Sequence, residues 1–298
     1  MSSLPAIAGP QRSFTSRARD ALSNPWGRTR FLWVVGIGYV LWSLVPVVNA
    51  VVFSFNRARS ITQWGGFSLR WYITDPNESV LHDPNLRHAI LQSFTLALLT
   101  VVIAVPFGVA FAIALRHWRG RSSGTSNFLM MFSFVTPELI LAVALFLLFI
   151  DAFRVFGLGT FAQAMGLVVL ALAYPVVIVR ARLLSIGATY EEAAMDLGAS
   201  PMRTLGRVTL PMLAPSIFAS AAIIFVFTLD DFVVVNQLAR DSSNETVAMA
   251  IYGAARTAPT PATNAVGTLM LVASTIVVTV TVMLYRRAGR RRGDIESP

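Results

Sequence analysis

The feature that most restricts the fold of this chain is a series of long apolar stretches that contain almost no charged residues. A helix needs about 20 apolar residues to cross the roughly 30 Å of hydrocarbon in a bilayer. Six stretches have about this length, and each is expected to be a transmembrane helix. Their boundaries are 31–55, 89–115, 128–150, 161–179, 215–238 and 265–285. The sequence therefore predicts an all-α integral membrane protein with about six transmembrane helices.

The composition excludes several other classes of protein. The 298 residues are 55% hydrophobic and 13% charged, whereas soluble domains are about 45–50% apolar and about 25% charged. Cysteine is absent, which excludes disulfides and thiolate metal sites. The chain contains no phosphate-binding loop, zinc-protease motif or hydrolase motif, and its three histidines lie in expected loops. We therefore expect no catalytic residue, no metal site and no cofactor bound by this chain.

The distribution of arginine predicts the orientation in the membrane. All 24 basic residues are arginine, and 17 of them lie in the tails and loops on the same side as both termini. The positive-inside rule places this side, and both termini, in the cytoplasm. Residues 1–30 and 286–298 are then basic cytoplasmic tails around a transmembrane domain of residues 31–285, and the net charge of +9 suits anionic lipid better than nucleic acid. The seven arginines on the outer side are Arg57, Arg59, Arg70, Arg87, Arg154, Arg240 and Arg256.

The cytoplasmic loop of residues 185–215 has the sequence features of a built structure. Thr189 and Glu192 have the spacing of a capping box, in which the hydroxyl and the carboxylate each accept a hydrogen bond from a backbone N–H. Gly198 can adopt the left-handed conformation that ends a helix. We expect a short helix between Thr189 and Gly198.

A second short helix is expected directly after this turn. Ser200 is a favoured capping residue, and Pro201 is favoured at the first helical position. Pro211 and Pro215 are expected to end the helix. The pattern alone fits both a simple capped hairpin between two spans and a docking element for another protein.

Three carboxyl groups lie within the predicted spans: Glu138, Asp230 and Asp231. A carboxylate at the centre of a bilayer costs about 2.5–3.5 kcal/mol on insertion scales, so such residues usually face a pathway or a partner. Adjacent helical positions point about 100° apart, so the two aspartates cannot line one surface equally. The acids, together with the ring of Phe232, predict a pathway for a cation. The alternative is structural: either aspartate could cap a broken helix or bond to a partner subunit.

The loop also resembles a known family signature. Its pattern is Glu192-Ala193-Ala194, three residues, Gly198, nine residues, Val208, one residue and Leu210-Pro211, and this is similar to the EAA motif of type I, MetI-like permeases of binding-protein-dependent ABC importers. The resemblance implies the fold of that family and a coupling helix that docks on a cytoplasmic ATPase. The implied coupling residues are Glu191, Glu192, Ala193, Ala194, Leu197, Gly198, Ala199 and Pro201.

Shorter matches make the chain similar to the second type of spermidine/putrescine permease. They are Asp230-Asp231-Phe232, Ile251-Tyr252, Arg256, Pro259 and Asn264-Ala265. This resemblance implies polyamine import, and a permease for a sugar, an iron chelate, thiamine or a phosphonate is the main alternative. A stand-alone secondary transporter would leave the loop unexplained, and adjacent aspartates on one helix do not suit an intramembrane aspartyl enzyme.

The resemblance also implies the partners and the location of the protein. The partners would be a second homologous permease, two ATPase subunits that bind ATP and Mg²⁺, and an extracytoplasmic substrate-binding protein. The chain itself would be a multi-pass protein of the inner, or plasma, membrane that carries out transport and no catalysis. No nucleic acid would be involved.

Overall fold

The computed structural model describes residues 29–117, 136–257 and 259–293, and these residues are almost entirely helical. One isolated antiparallel bridge joins Asn56 and Phe67 in the part of the chain described. Five helices are long and apolar enough to cross a membrane, which confirms the all-α membrane fold. These five are Leu32–Ser54, Pro84–Arg116, Thr160–Ile186, Pro201–Asp230 and Pro261–Met283.

The helices have the following bounds in chain order. They are α1 (Thr29–Ser54), α2 (Pro84–His117), α3 (Glu138–Asp151), α4 (Thr160–Ala171), α5 (Ala173–Ile186), α6 (Thr189–Asp196), α7 (Pro201–Thr204), α8 (Leu210–Asp230), α9 (Val233–Leu238), α10 (Val247–Thr257) and α11 (Pro261–Gly293). A π-helical turn, Leu205–Thr209, joins α7 to α8 without a break.

Three of the expected segments lie partly outside the described residues, and one of them is the carboxyl-terminal tail, whose residues 294–298 are outside. The third span was expected at 128–150, and its residues 128–135 are outside, while the remainder forms α3. The amino-terminal tail of residues 1–30 is also outside, apart from the first two residues of α1. At the other end α11 continues to Gly293, beyond the expected boundary at residue 285.

The described part of the chain divides into two compact units, one within residues 29–50 and the other within residues 51–293. The first unit contains most of α1, which is apolar on all sides and has exposed side chains throughout residues 32–49. A helix without a polar face is typical of a membrane span that contacts lipid.

Two groups of packed helices in the core of the second unit position the candidate site. In one group α2, α5 and α8 meet around Val105, Leu183 and Ile224. In the other α3, α4 and α9 meet around Leu167 and Val234. These contacts hold the ends of α3 and α8 beside the short helix α9.

Helices α2 and α5 approach very closely at Gly108. A Cβ atom at this position would lie 2.3 Å from Cγ of Pro175, so only glycine fits. Pro175 also explains the interruption at Leu172 that separates α4 from α5, because its ring clashes with the carbonyl four residues earlier. The helical segment continues to Ile186, so the fourth span is longer than the expected 161–179.

Two details of the loop prediction are wrong. Helix α6 begins at Thr189 with Ala188 as its cap and no side-chain capping bond, so the expected capping box with Glu192 does not form. Pro211 and Pro215 do not end the second helix, since the chain is helical from α7 through the π-turn into α8. Pro211 lies two residues after the π-turn and Pro215 lies inside α8, and proline is tolerated within membrane helices because neighbouring groups satisfy the carbonyls that it frees.

The other two details are confirmed. Gly198 adopts a φ of +84° and separates α6 from α7. Ser200 has an extended backbone, with φ −69° and ψ 155°, and Pro201 is the first residue of α7. The loop is therefore a helix, a glycine turn and a second helix, and the second helix leads directly into the fifth span.

Candidate functional site

The fifth span is broken at the pair of aspartates. Helix α8 ends at Asp230, and Asp231 has an extended backbone with φ −64° and ψ 124°. Oδ1 of Asp231 accepts hydrogen bonds from the backbone N–H groups of Val234 and Val235, both at 3.1 Å. The carboxylate thus caps the start of α9. The expectation of one continuous helix over 215–238 is wrong, because this cap favours a new helix start.

The two aspartates have different environments. Asp231 is 6% exposed, and its second oxygen, Oδ2, has no hydrogen-bond partner among the described residues. Asp230 is exposed at the end of α8. The structural alternative, a carboxylate that caps a broken helix, therefore describes Asp231, while Asp230 has the accessible carboxyl group.

All four residues expected in the pathway line one cavity. Its volume is about 720 Å³, and Glu138, Asp230, Asp231 and Phe232 all contribute to its wall. The carboxyl groups of Glu138 and Asp231 are close enough to interact electrostatically. The remaining lining residues are apolar apart from one threonine: Ala219, Ala222, Ile223, Val226, Phe227, Val233, Val278, Thr281 and Val282.

An aromatic stack continues from this cavity to the exposed side of α10. The ring centroids of Phe232 and Tyr252 are 4.1 Å apart. The guanidinium carbon of Arg256 lies 4.5 Å from the centroid of the Tyr252 ring. A ring face of this stack therefore already holds a cation, as expected for a surface that can bind an ammonium group.

A buried network of polar side chains holds α9 in place. Nε2 of Gln163 donates to the carbonyls of Val235, at 2.9 Å, and Asn244, at 3.0 Å. Nε2 of Gln92 donates to Oε1 of Gln163 and to Oγ1 of Thr160, both at 2.9 Å. The sequence analysis did not identify this network. The available signal was one glutamine within each of two apolar spans.

The loop of residues 185–215 presents an exposed apolar surface. Tyr190, Met195, Leu197 and Met202 have exposed fractions of 54%, 45%, 90% and 78%. We call these four residues the loop patch. Large exposed apolar side chains grouped on one loop indicate a binding surface. Among the expected coupling residues, Glu192, Ala193, Leu197, Gly198 and Pro201 are exposed, while Ala194 and Ala199 are half-buried.

Glu191 differs from the other expected coupling residues because its side chain is directed into the protein. Oγ1 of Thr209 donates to its Oε1 at 2.9 Å. Nη2 of Arg116 lies 3.6 Å from its Oε2, and the two side chains are only 14% and 15% exposed. The adjacent glutamates of this loop therefore occupy different environments.

The loop between α1 and α2 has its own polar structure. Trp71 is fully buried and donates from Nε1 to the carbonyl of Asn56 at 2.6 Å. The pKa of Asp75 is lowered by a hydrogen bond from the backbone N–H of Asn77 and by the guanidinium of Arg70, which lies 2.7 Å from Oδ2. These bonds give the segment a fixed shape.

The fold and the cavity define a class of protein: a membrane transport component with several spans. Within the described residues no group of three or more histidine, aspartate and glutamate side chains is placed to hold a metal ion. The family model of the binding-protein-dependent transport system inner membrane component matches residues 104–292. The chain belongs to this family and is a multi-pass protein of the inner membrane.

Two relatives extend the similarity over most of the chain. The putrescine transport system permease protein PotI of Escherichia coli is 31% identical over 253 residues, which cover 83% of this chain and 88% of the relative. The spermidine/putrescine transport system permease protein PotC of Haemophilus influenzae is 30% identical over 260 residues, which cover 87% and 96%.

Solved structures show the same fold. A chain of a bacterial alginate ABC transporter, in complex with a periplasmic protein that holds an alginate pentasaccharide, has a TM-score of 0.65 at 17% identity and covers 93% of this chain. An inward-facing chain of the MetNI methionine ABC transporter has a TM-score of 0.54 at 18% identity and covers 68%. The described helices therefore have the fold of ABC importer permeases.

Proposed function

We propose that this chain is the permease subunit of an ATP-driven importer that takes up polyamines such as putrescine and spermidine. The observation that carries the proposal is the single cavity shared by Glu138, Asp230 and Asp231. The relatives are named as permease proteins of putrescine and spermidine/putrescine transport systems, and these names support the same substrate class.

The charge of the cavity favours a cationic solute. Each carboxylate within a membrane is costly unless an opposite charge visits or neutralises it. No basic residue is among the described residues that line the cavity, so a substrate ammonium group would supply the missing charge. In this proposal Asp230 contacts the substrate directly, Glu138 adds a second carboxylate, and Phe232 offers a ring face. Asp231 stabilises the break between α8 and α9, and this break leaves Asp230 exposed.

The loop is the proposed connection to the energy source. Glu192 and Ala193 are exposed beside the loop patch, and the small alanines would allow an ATPase subunit to approach closely. Leu197 and Pro201 would lie in the same interface with Ala194 and Ala199 at its edge, and Gly198 would set the angle between the two short helices. ATP and Mg²⁺ would bind to the ATPase, so this chain would need no cofactor and would not itself hydrolyse ATP.

The complete importer would contain further subunits. A second homologous permease would face this chain, two ATPase subunits would dock on the cytoplasmic side, and an extracytoplasmic binding protein would deliver the substrate. Closure of the ATPases would move α6 and open the cavity outward, and their separation would open it inward. Such a cycle needs the substrate and ATP to favour different conformations of the permease.

Uptake of labelled putrescine and spermidine tests the proposal. Cells that lack this gene are complemented with the wild type, with Asp230→Asn or with Asp151→Asn, which removes an exposed carboxylate at the end of α3. We expect uptake with the wild type and the control, and loss of most uptake with Asp230→Asn. Absence of polyamine uptake with the wild-type complex would overturn the assignment of polyamines as the substrate, and the family assignment would be unaffected.

A further inference from the structure

A polar junction lies where four helical elements meet at the base of the loop of residues 185–215. Its side chains are Arg116 at the end of α2, Glu191 in the first turn of α6 and Thr209 in the π-turn before α8. The backbone carbonyls of Leu183 and Gly187 at the end of α5 complete it. We call this set the loop junction.

Arg116 closes the end of α5. Its Nη1 donates to the carbonyl of Leu183 at 3.3 Å, and its Nη2 donates to the carbonyl of Gly187 at 2.5 Å. The last carbonyls of a helix have no partner within the helix, and a cation is favourable at this end. These two hydrogen bonds therefore fix the position of the guanidinium group at the end of α5.

Glu191 then ties α6 to the same guanidinium. Nη2 of Arg116 lies 3.6 Å from Oε2, while Oγ1 of Thr209 donates to Oε1 at 2.9 Å. The side chains of Arg116 and Glu191 are 14% and 15% exposed. By contrast the Arg154–Asp151 pair is 75% and 84% exposed, and pairs of that kind contribute little.

Helix α6 is exposed over most of its length. The helix has eight residues, none of which is buried. Gly187 precedes it with a φ of +72°, and Gly198 follows it with a φ of +84°. A Cβ atom at either glycine would meet no heavy atom within 4 Å, so the space beside each turn is open. The contacts of Glu191 therefore link this short, exposed helix to the spans.

We propose that Arg116 and Glu191 are positioning residues that make α6 move as one body with the ends of α2, α5 and α8. This inference rests on the proposed function, in which an ATPase subunit docks on the loop. Glu192 faces outward towards that partner, and Glu191 carries the motion inward to the spans. Neither Arg116 nor Glu191 touches the ATPase or the substrate.

The test uses the complete transporter, with both permeases, the ATPases and the binding protein, reconstituted in liposomes. ATP hydrolysis and spermidine uptake are measured for the wild type, Arg116→Gln, Glu191→Gln and the double variant. Glu191→Gln keeps an oxygen that can accept from Thr209 and loses only the charge. Arg154→Gln, which breaks the exposed pair, is the matched control.

We expect each single variant to hydrolyse ATP. The ratio of spermidine uptake to ATP hydrolysed should fall by a factor within the roughly 5- to 150-fold range of known allosteric couplings. The double variant should be no worse than the single ones, because both changes remove the same connection. The ATPase should still purify with the permease. The control should keep the wild-type ratio of uptake to ATP.

Two results would overturn the inference. The first is a wild-type ratio of uptake to ATP in both single variants. The second is loss of the ATPase from the purified Glu191→Gln complex, which would make Glu191 a docking residue.

A second measurement separates this inference from the proposed substrate. If the wild-type complex takes up no polyamine, the substrate assignment fails, and hydrogen exchange of the backbone amides of residues 189–197 still tests the loop junction. Faster exchange in Arg116→Gln and Glu191→Gln than in Arg154→Gln supports it, and equal exchange in all three excludes it.

Discussion

Replacement of Gln163 by leucine tests the network that positions the break in the fifth span. The side chain is fully buried and takes part in three hydrogen bonds, with the carbonyls of Val235 and Asn244 and with the amide of Gln92. Leucine has a similar size and no polar atom. The two carbonyls would lose this donor, and Gln92 would keep only its bond to Thr160.

The expected cost follows from the number of these bonds. A buried polar group left without a partner costs about 1–3 kcal/mol, while hydrogen bonds between membrane helices average about 0.6 kcal/mol. The two values give two estimates of the same cost: three bonds at the lower value give about 2 kcal/mol, and two unpartnered carbonyls near the middle of the upper range give about 4 kcal/mol. At about 2–4 °C per kcal/mol, as for domains of about 150–250 residues, this corresponds to a fall of about 4–16 °C in the midpoint of thermal unfolding.

The assay compares two identical substitutions. Gln237 lies on α9 itself, is half-buried, and makes no side-chain hydrogen bond to any residue that the structure describes. We expect Gln163→Leu to lower the unfolding midpoint of the purified protein and to reduce uptake, because α9 and Asp231 would shift. Gln237→Leu should change both much less. Equal midpoints for the two variants would refute the view that this network holds α9 in position.

Three other changes have defined outcomes. Gly198→Val should let the complex assemble and hydrolyse ATP with reduced uptake, since a side chain at φ +84° costs about 1–2 kcal/mol or more in backbone strain while meeting no neighbouring atom; normal uptake would contradict this. Gly108→Ala should lower the unfolding midpoint, because its Cβ would lie 2.3 Å from the Pro175 ring and overpacking costs about 1–3 kcal/mol; an unchanged midpoint would contradict this close approach. The lowered pKa of Asp75, paired with Arg70, means that its stabilising effect is complete at neutral pH and is lost as the pH falls below its ordinary value of 3.8. Unfolding midpoints at pH 7 and pH 3 should therefore differ more for the wild type than for Asp75→Asn, and equal differences would exclude this contribution.

The sequence by itself determined the membrane fold and the turn between the two short helices of the loop. The hydrocarbon core accepts only long apolar helices, so apolar length located the spans, although the helix of the fifth span begins at Pro201 and ends at Asp230 instead of covering 215–238. Local rules were also sufficient at Gly198 and Pro201, because a left-handed turn and a first helical position depend on the residue itself.

Local rules failed where a distant residue decides the outcome. The break after Asp230 was only an alternative in the sequence analysis, because the apolar sequence on both sides is typical of one continuous span. In the structure Asp231 caps α9, and Gln163, about 70 residues earlier in the chain, fixes α9 from the side. Hydrophobic periodicity identifies which face of a helix is buried, and it does not identify the polar partner that the face meets.

The two adjacent glutamates of the loop, Glu191 and Glu192, show the same difference between what the sequence predicts and what the tertiary structure decides. Glu192 begins the motif and Glu191 directly precedes it, and the family resemblance implied the same role for both. They point about 100° apart on α6, and only the tertiary structure brings Arg116 and Thr209 to the side of Glu191. Arg116 is 75 residues away in the chain from Glu191, so the packing of α2 and α5 against the loop decides that Glu191 is directed inward while Glu192 is exposed.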